Sequence, residues 1–329
     1  MMPGANYAVG ASWTSMTDTS WAIDTVPLDR LPSGRLLRTH RHRLDGGDTP
    51  HVVIVATQHG IELAGAVVIR RVRERLRTAA PDGQITLIPV MNPLAFDHRS
   101  YMTPGDYDVL NPNLNRSWPG DPDGTLVERM CAAYWESVGQ ADVLIDLHTG
   151  TPTMSPHARV GSDPSAGELA GLSGWPVITV TDTGTTGART LRDAASTAGI
   201  TAITLELGDS RSLDQEMIAA GTDAVMAMVE GCLTGGNGQA EWSQPRRWVD
   251  AGDAVRVATA GLFEPAMGAT VGEEVVAGTD LGTVYDPMRL EPLERVTAPA
   301  SGLLYSRSVG GAIVAGERVA SVAVAAETV

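Results

Sequence analysis

The sequence of 329 residues contains no lysine, and all 24 of its basic residues are arginine. A chain without lysine cannot provide a Walker-type phosphate lysine, a Schiff-base lysine, or a lysine that carries biotin or lipoate. This absence excludes several classes of enzyme before any motif is considered.

Cysteine is scarce as well, since Cys131 and Cys232 are the only two in the chain. They give neither a disulfide framework nor a cysteine-based zinc site, which fits a reducing compartment. Residues 1–20 lack the basic start and apolar run of a signal peptide, and no apolar stretch approaches the length of a membrane span. We therefore expect a soluble, cytoplasmic protein without a membrane partner.

Basic residues are also outnumbered, because 39 acidic residues give the chain a formal net charge of −15. A phosphate backbone or an anionic membrane would repel such a chain, which argues against a general nucleic-acid partner. The length suits one large domain and one small domain.

Short apolar runs that alternate with amphipathic stretches form the main pattern of the chain. Val52–Ala56 is wholly apolar and rich in β-branched residues, as in a strand that is buried on both faces. The pattern predicts strands at 52–56, 85–90, 143–147, 177–180 and 202–207, and helices at 66–79, 126–138 and 217–229. It indicates a doubly wound, mostly parallel α/β sheet, in which ligands bind beyond the carboxyl ends of the strands.

Composition divides the chain into three parts. Residues 1–25 are small and polar and predict a loosely ordered lead-in, and residues 26–240 form the α/β domain. The glycine-rich stretch 235–238 is a predicted linker to a small all-β domain at 241–329. Two halves of that domain look alike and resemble a biotinyl/lipoyl barrel, but without lysine a structural or site-capping role is expected.

Two histidine segments follow predicted strands and carry the first candidate chemistry. His59 and Glu62 lie three residues apart after the first strand, with Gly60 expected to allow a sharp turn between them. His148 follows the third strand, on the same edge of the sheet. Two histidines and one carboxylate form a familiar catalytic zinc set with one coordination position left open.

A His-x-x-Glu pair is weak evidence by itself, because the chain has seven histidines. What favours His59, Glu62 and His148 is their position directly after apolar strands. The spacing of the other histidines does not mark them as ligands. His40, His42 and His51 are interpreted as polar loop residues, and His98 and His157 lie near the proposed site in the sequence.

Asp146 lies two residues before His148, on the same face of the strand. It could accept the proton of the other ring nitrogen of His148 and orient the ring. A carboxylate that merely caps a helix or ends the strand is an equally good interpretation.

A third segment, Asn113–Gly120, concentrates arginine and asparagine. The guanidinium of Arg116 can bind a carboxylate through two parallel hydrogen bonds, and the Asn115 amide can complete the contact. Arg99 lies upstream in a polar loop and is a further candidate for an anionic substrate. Its alternative partner is a nearby aspartate, Asp106 or Asp108.

Glu206 is a lone carboxylate within the apolar run that forms the fifth strand. Burial would raise its pKa into the range that suits a proton shuttle. Pairing with an arginine is the alternative interpretation. The sequence has no Gly-x-Ser-x-Gly elbow and no cysteine with a matching histidine motif, so serine and cysteine nucleophiles are poor candidates.

Taken together, these segments resemble the succinylglutamate desuccinylase/aspartoacylase family, a branch of the zinc carboxypeptidase-like enzymes. The resemblance spans roughly residues 30 to 325, including the β domain. The matching motifs occur in the order of the family: His59-Gly60-Ile61-Glu62, Asn92-Pro93, Asn113-Leu114-Asn115-Arg116 with Pro119-Gly120, Asp146-Leu147-His148-Thr149-Gly150 and Glu206-Leu207-Gly208. Many members have aspartate where Asn113 stands, and the stretch from Tyr101 to Pro112 is unusually long.

The resemblance implies a zinc carboxypeptidase-like fold and one Zn²⁺ bound by His59, Glu62 and His148. It also implies Glu206 as general base and acid, and a pocket for the substrate carboxylate that is formed by Arg99, Asn115 and Arg116. The alignment of Arg99 is less secure than that of Arg116.

These observations predict a zinc-dependent amidohydrolase that removes an acyl group from a small, carboxylate-bearing N-acyl compound. A metallocarboxypeptidase acting on short peptides would use the same residues. A binding protein on a hydrolase scaffold is a third hypothesis, against which Glu206 argues because binding needs no proton shuttle. The substrate is the expected partner, and self-association into a homo-oligomer is left open.

Overall fold

The computed structural model describes residues 21–78, 82–150, 153–180, 190–234, 247–250 and 254–326. Residues 1–20 of the expected lead-in and the expected linker at 235–238 lie outside the described residues. The helices of the described part are α1 Ala64–Arg75, α2 Pro93–His98, α3 Leu126–Val138, α4 Pro164–Gly171, α5 Leu191–Thr197 and α6 Gln215–Leu233, with short 3₁₀ helices at Leu76–Thr78 and Leu114–Arg116.

The strands belong to one large sheet and one small sheet. In chain order they are β1 Ala22–Arg30, β2 Leu36–Asp45, β3 His51–Ala56, β4 Gln84–Ile88, β5 Val143–Gly150, β6 His157–Val160, β7 Val177–Val180, β8 Thr201–Asp209, β9 Arg247–Asp250, β10 Ala254–Arg256, β11 Gly261–Pro265, β12 Glu274–Val275, β13 Asp280–Asp286, β14 Glu291–Thr297, β15 Gly302–Arg307, β16 Gly311–Ile313 and β17 Arg318–Ala325. The predicted strands and helices are confirmed as β3, β4, β5, β7 and β8 and as α1, α3 and α6.

The large sheet is parallel at its centre, where β4, β3, β5 and β8 lie side by side. Antiparallel pairs flank this centre, since β1 pairs with β2, β2 with β4, and β6 with β8, but β6, β7 and β9 are again parallel to one another. The expectation of a mostly parallel sheet therefore holds for β4, β3, β5 and β8 and for β6, β7 and β9, and not for β1 and β2. The polar and exposed residues of β1 and β2 hide the apolar pattern of a strand.

Helices cover both faces of the sheet, because alternate residues of a strand point to opposite faces. Val52, Ile54 and Ala56 pack in a core with apolar residues of α1, α4 and α6. Val53 and Val55 point the other way, into a second core with residues of α2, α3 and α5. The wholly apolar β3 is thus buried on both faces, as its sequence predicted.

The all-β region at the C-terminus consists of two antiparallel layers around a core that includes Phe263, Leu281 and Val319. One layer contains β10, β17, β15 and β12, and the other contains β14, β13, β11 and β16. The first layer continues the large sheet, because β9 pairs with both β7 and β17. The large sheet therefore runs across the predicted boundary at residue 240. Residues 22–25, assigned to the lead-in, belong to β1.

The histidines expected in polar loops lie on strands instead. His40 and His42 are in β2, and His51 is the first residue of β3. The buried positions of β2 include Leu37, Thr39 and Leu44, and its remaining residues are mostly charged, so the strand has no clear apolar alternation. No helix within the described ranges is long and apolar enough to cross a membrane.

Candidate metal centre

His59 and Glu62 lie in the turn that joins β3 to α1. The left-handed backbone of this turn falls on Thr57, with φ of 59°, and not on Gly60. Gly60 is required for another reason: a Cβ atom there would lie 2.1 Å from the carbonyl carbon of Ala95 in α2. The chain does turn at Gly60, as expected, because the Glu62 N–H donates to the His59 carbonyl at 3.1 Å, but close packing against a helix backbone and not a left-handed backbone explains the glycine.

His148 comes from β5, the strand beside β3, and its ring faces the same carboxylate. The Nδ1 atom of His148 lies 2.8 Å from Glu62 Oε2, and the Nδ1 atom of His59 lies 2.9 Å from Glu62 Oε1. One ligand atom from each of the three residues falls within 4.8 Å of the others, and all three side chains are buried. Parallel neighbours place their carboxyl ends at one edge of the sheet, which brings these distant residues together.

The outer nitrogen of each imidazole is held by an oxygen atom. His59 Nε2 lies 3.1 Å from Asn113 Oδ1, which also accepts the backbone N–H of Asn115 at 2.9 Å. His148 Nε2 lies 3.0 Å from Asp146 Oδ2. Both rings therefore present Nε2 to an outer oxygen atom and Nδ1 to Glu62. Two imidazole nitrogens and a carboxylate that converge in this way fit a divalent cation such as Zn²⁺.

The electrostatics of the group also suit a cation. Burial alone would raise the pKa of Glu62, but the neighbouring His59 and His148 lower it to about 2. Burial alone would lower the pKa of His148, but Asp146 and Glu62 raise it well above its usual value. The site thus stabilises positive charge between its carboxylates, and a metal ion must compete with protons for it.

Glu206 lies on β8, directly opposite His148 of β5 on one side and His157 of β6 on the other. Its Oε2 atom is buried and has no hydrogen-bond partner among the described residues. Burial raises the pKa of this carboxyl, and Glu62 and Asp146 add to the effect, while His148 and Arg159 oppose it. A carboxyl whose pKa is raised in this way is better suited to accept and to release a proton than a solvated carboxylate is.

Of the predicted substrate-binding residues in the described part of the chain, Asn115 contacts a metal-binding residue. Asn115 is buried, its Nδ2 lies 3.3 Å from His148 Nε2, and its Oδ1 accepts the backbone N–H of Leu191. Arg116 is exposed, and its guanidinium donates to the carbonyl oxygen of Asn115. Arg99 ends α2 in a left-handed conformation and is exposed; its side chain makes no hydrogen bond or ion pair within the described part of the chain.

Tyr101 is part of the site, although no sequence pattern pointed to it. Its ring stacks on His59 with centroids 4.1 Å apart and an interplanar angle of 14°. The Gly60 N–H donates to the Tyr101 carbonyl at 3.1 Å and holds the loop in place. Burial raises the pKa of the phenol, Glu62 and Glu206 raise it further, and Arg116 and Arg318 act in the opposite direction. Arg318 belongs to the C-terminal β region, so a positive charge of that region acts on the Tyr101 phenol.

Gln58 and Trp118 are two more residues that motif reasoning passed over. Gln58 Nε2 donates to Asp146 Oδ2 at 2.8 Å, and Gln58 Oε1 accepts the indole N–H of Trp118 at 2.8 Å. The feature of the sequence that could have indicated a role for Gln58 in the site is its position between the end of β3 and His59.

The fold and the site together define an α/β protein with a buried His-Glu-His group at the carboxyl edge of its central parallel strands. The sequence model of the Succinylglutamate desuccinylase/Aspartoacylase catalytic domain matches residues 48–231. The chain therefore belongs to the succinylglutamate desuccinylase/aspartoacylase family.

Several relatives are similar over nearly the whole chain. An N-alpha-acetyl-L-2,4-diaminobutyric acid deacetylase from Halomonas elongata is 27% identical over 302 residues, which cover 86% of this chain and 84% of the relative. The structure of a succinylglutamate desuccinylase/aspartoacylase from Rhodobacter sphaeroides matches with a TM-score of 0.79 and 22% identity, covering 97% of this chain and all of that one. The product-bound ectoine utilization protein EutE (DoeB) from Ruegeria pomeroyi matches with a TM-score of 0.79 and 23% identity, covering 95% and 98% of the two chains.

Proposed function

We propose that this chain is a zinc-dependent amidohydrolase that cleaves the amide bond of a small N-acyl amino acid or a related N-acyl carboxylate. We also propose that its sheet is wound as in zinc carboxypeptidase-like enzymes. The observation that carries the proposal is the convergence of His59, Glu62 and His148 within 4.8 Å, with Glu206 opposite His148 on the next strand. Both features lie at one edge of the sheet, where α/β proteins bind ligands.

The relatives support the same class of reaction. One of them is named for the removal of an acetyl group from the α-nitrogen of an amino acid, and the family is named for succinylglutamate desuccinylase and aspartoacylase. Each of these activities breaks a linear amide on a small molecule that carries a carboxylate.

His59, Glu62 and His148 are the residues that would hold the metal. When bound, Zn²⁺ supplies Lewis acidity for the amide oxygen and makes a water molecule more acidic. Glu206 takes a proton from the attacking water and delivers it to the nitrogen of the leaving amine. The raised pKa of Glu206 supports this role, because the same carboxyl must accept and release a proton in each cycle.

Arg116, with Asn115 and Arg99, would bind the substrate carboxylate and bring the scissile carbonyl to the metal. Asp146 would orient His148 through its contact with Nε2. The C-terminal β region would narrow the entrance and favour short substrates, since Arg318 lies among the charged neighbours of Tyr101.

The test combines metal analysis with a panel of substrates. We expect one zinc ion per chain, loss of hydrolysis on chelation and its return on adding Zn²⁺. Purified enzyme should release the amine from N-acetyl or N-succinyl amino acids and leave N-blocked dipeptides intact. Release of the C-terminal residue from blocked dipeptides alone would identify a carboxypeptidase instead. A chain that binds no divalent metal and cleaves neither class would be a binding protein.

A further inference from the structure

Gln58 connects two side chains that lie far apart in the sequence, Trp118 and Asp146. All three are buried, with Gln58 and Asp146 at 0% exposure and Trp118 at 3%. The indole N–H of Trp118 donates to Gln58 Oε1 at 2.8 Å, and Gln58 Nε2 donates to Asp146 Oδ2 at 2.8 Å. The same Oδ2 lies 3.0 Å from His148 Nε2. A continuous buried chain of polar contacts therefore ends at a candidate metal ligand.

The chemistry of the groups fixes the direction of every contact in this chain. An indole N–H can only donate, so the Gln58 amide must present its oxygen to Trp118 and its NH₂ to Asp146. An ionised carboxylate can only accept, so in the metal-free protein the contacts with Asp146 Oδ2 at 3.0 Å and with Glu62 Oε2 at 2.8 Å call for a proton on both ring nitrogens of His148. A cation bound beside Glu62 would replace the proton on Nδ1, and the contact with Asp146 would then select the Nε2–H tautomer, which leaves the Nδ1 lone pair for the metal.

Among the residues that the structure describes, no second anchor holds Asp146. Its other oxygen, Oδ1, is buried without a hydrogen-bond partner among the described residues. The carboxylate is therefore held through Oδ2 by two N–H groups, one from Gln58 and one from His148. Without the Gln58 donor, Asp146 can turn to place its charge elsewhere, and the His148 ring loses its fixed orientation.

We infer that Gln58 and Trp118 are positioning residues of the metal centre, which act through Asp146 to hold His148 in the Nε2–H tautomer with Nδ1 directed to the metal. This inference rests on the metal site of the proposed function but not on any substrate. Groups that orient metal ligands in this way typically change metal affinity 10- to 100-fold when they are removed.

The experiment measures the dissociation constant of Zn²⁺ by competition with a chromophoric chelator, using the full chain. Gln58→Met keeps the length of the side chain but removes its donor and its acceptor, and we expect affinity to fall about 10- to 100-fold. Trp118→Phe removes only the N–H and keeps an aromatic ring, so we expect a smaller loss of about tenfold. Long-range ¹H–¹⁵N spectra of histidine-labelled protein should show that the Nε2–H tautomer of His148 is no longer fixed in both variants.

Trp135→Phe is the matched control, because its ring packs 6.4 Å from Trp118 in the same cluster but outside the chain of contacts. It should bind Zn²⁺ like the wild type. Equal losses in Trp135→Phe and Trp118→Phe would show a packing effect and overturn the inference. Gln58→Met protein that folds, as judged by circular dichroism, and binds Zn²⁺ normally would also overturn it. If the wild type itself bound no divalent metal, the proposed function would fail first, so the two failures are distinguishable.

Discussion

At the scale of single residues, Glu206 is a carboxylate flanked across the sheet by two imidazoles, those of His148 and His157. We expect Glu206→Gln to lower hydrolysis by about 10²- to 10⁴-fold, because the amide cannot carry the proton. Zinc content should stay unchanged, since the three metal-binding residues are intact. Steady-state kinetics and metal analysis measure both effects.

The control for this variant is Glu168→Gln, which neutralises an exposed carboxylate on α4 and should leave hydrolysis unchanged. Activity retained in Glu206→Gln would show that another group moves the proton.

The raised pKa of Glu206 also predicts that the stability of the metal-free protein depends on pH, and the Glu206→Gln variant tests this. Burial raises the pKa of Glu206 in the folded state, so the folded chain holds this proton more tightly than the unfolded chain. Ionising Glu206 therefore costs stability as the pH rises above the unfolded value. Glu206→Gln should melt at a higher temperature than the wild type at about pH 8, and the difference should shrink toward about pH 4.

At the scale of secondary-structure elements, the metal-binding turn between β3 and α1 rests directly on the backbone of α2. A Cβ atom on Gly60 would lie 2.1 Å from both the carbon and the oxygen of the Ala95 carbonyl. Backbone atoms cannot move aside as a flexible side chain can, so the turn or the helix must shift. We expect Gly60→Ala to destabilise the fold by about 1–3 kcal/mol and to weaken Zn²⁺ binding, as measured by chemical denaturation and chelator competition.

Gly161→Ala provides the comparison, because a Cβ atom at that glycine meets no atom within 4 Å. It should leave the free energy of unfolding within about 0.5 kcal/mol of the wild type. If both variants behaved alike, the close approach of the turn to α2 would not constrain the metal site.

The order of the strands also explains why the sequence alone can identify the histidine and glutamate residues of the site. His59, Glu62, His148 and Glu206 each lie at or just beyond the end of an apolar strand, and those strands are neighbours in the sheet. An apolar run followed at once by a histidine or a carboxylate is a local pattern, so sequence alone can select these residues. The polar flanking strand β2 offers no such pattern, which is why His40 and His42 were placed in loops.

At the scale of the whole molecule, the C-terminal β region and the α/β part share a continuous sheet through β9 and β17. Arg318 of β17 is exposed and belongs to the charged surroundings of Tyr101, beside the metal group. We expect Arg318→Ala to raise KM for an anionic N-acyl substrate by about two- to fivefold with little change in kcat, the size of an exposed charge interaction. Kinetics at low and high ionic strength measure this effect, which salt should reduce.

Arg295→Ala is the matched control in the same β region, because Arg295 is exposed and pairs with Asp280. It should leave KM unchanged. An equal rise in KM in both variants would mean that the overall charge of the chain, and not a cation at the entrance, is responsible.

The sequence by itself determined the central strands, the main helices and the His-Glu-His set, because each follows from a local pattern of apolar and polar residues. It also excluded every lysine-dependent chemistry. Only the tertiary structure decided that Gln58 joins Trp118 to Asp146, that Tyr101 stacks on His59, and that the β region continues the large sheet. These contacts join residues whose separation along the chain carries no periodic signal, so their partners are set by how the strands pair and how the loops pack.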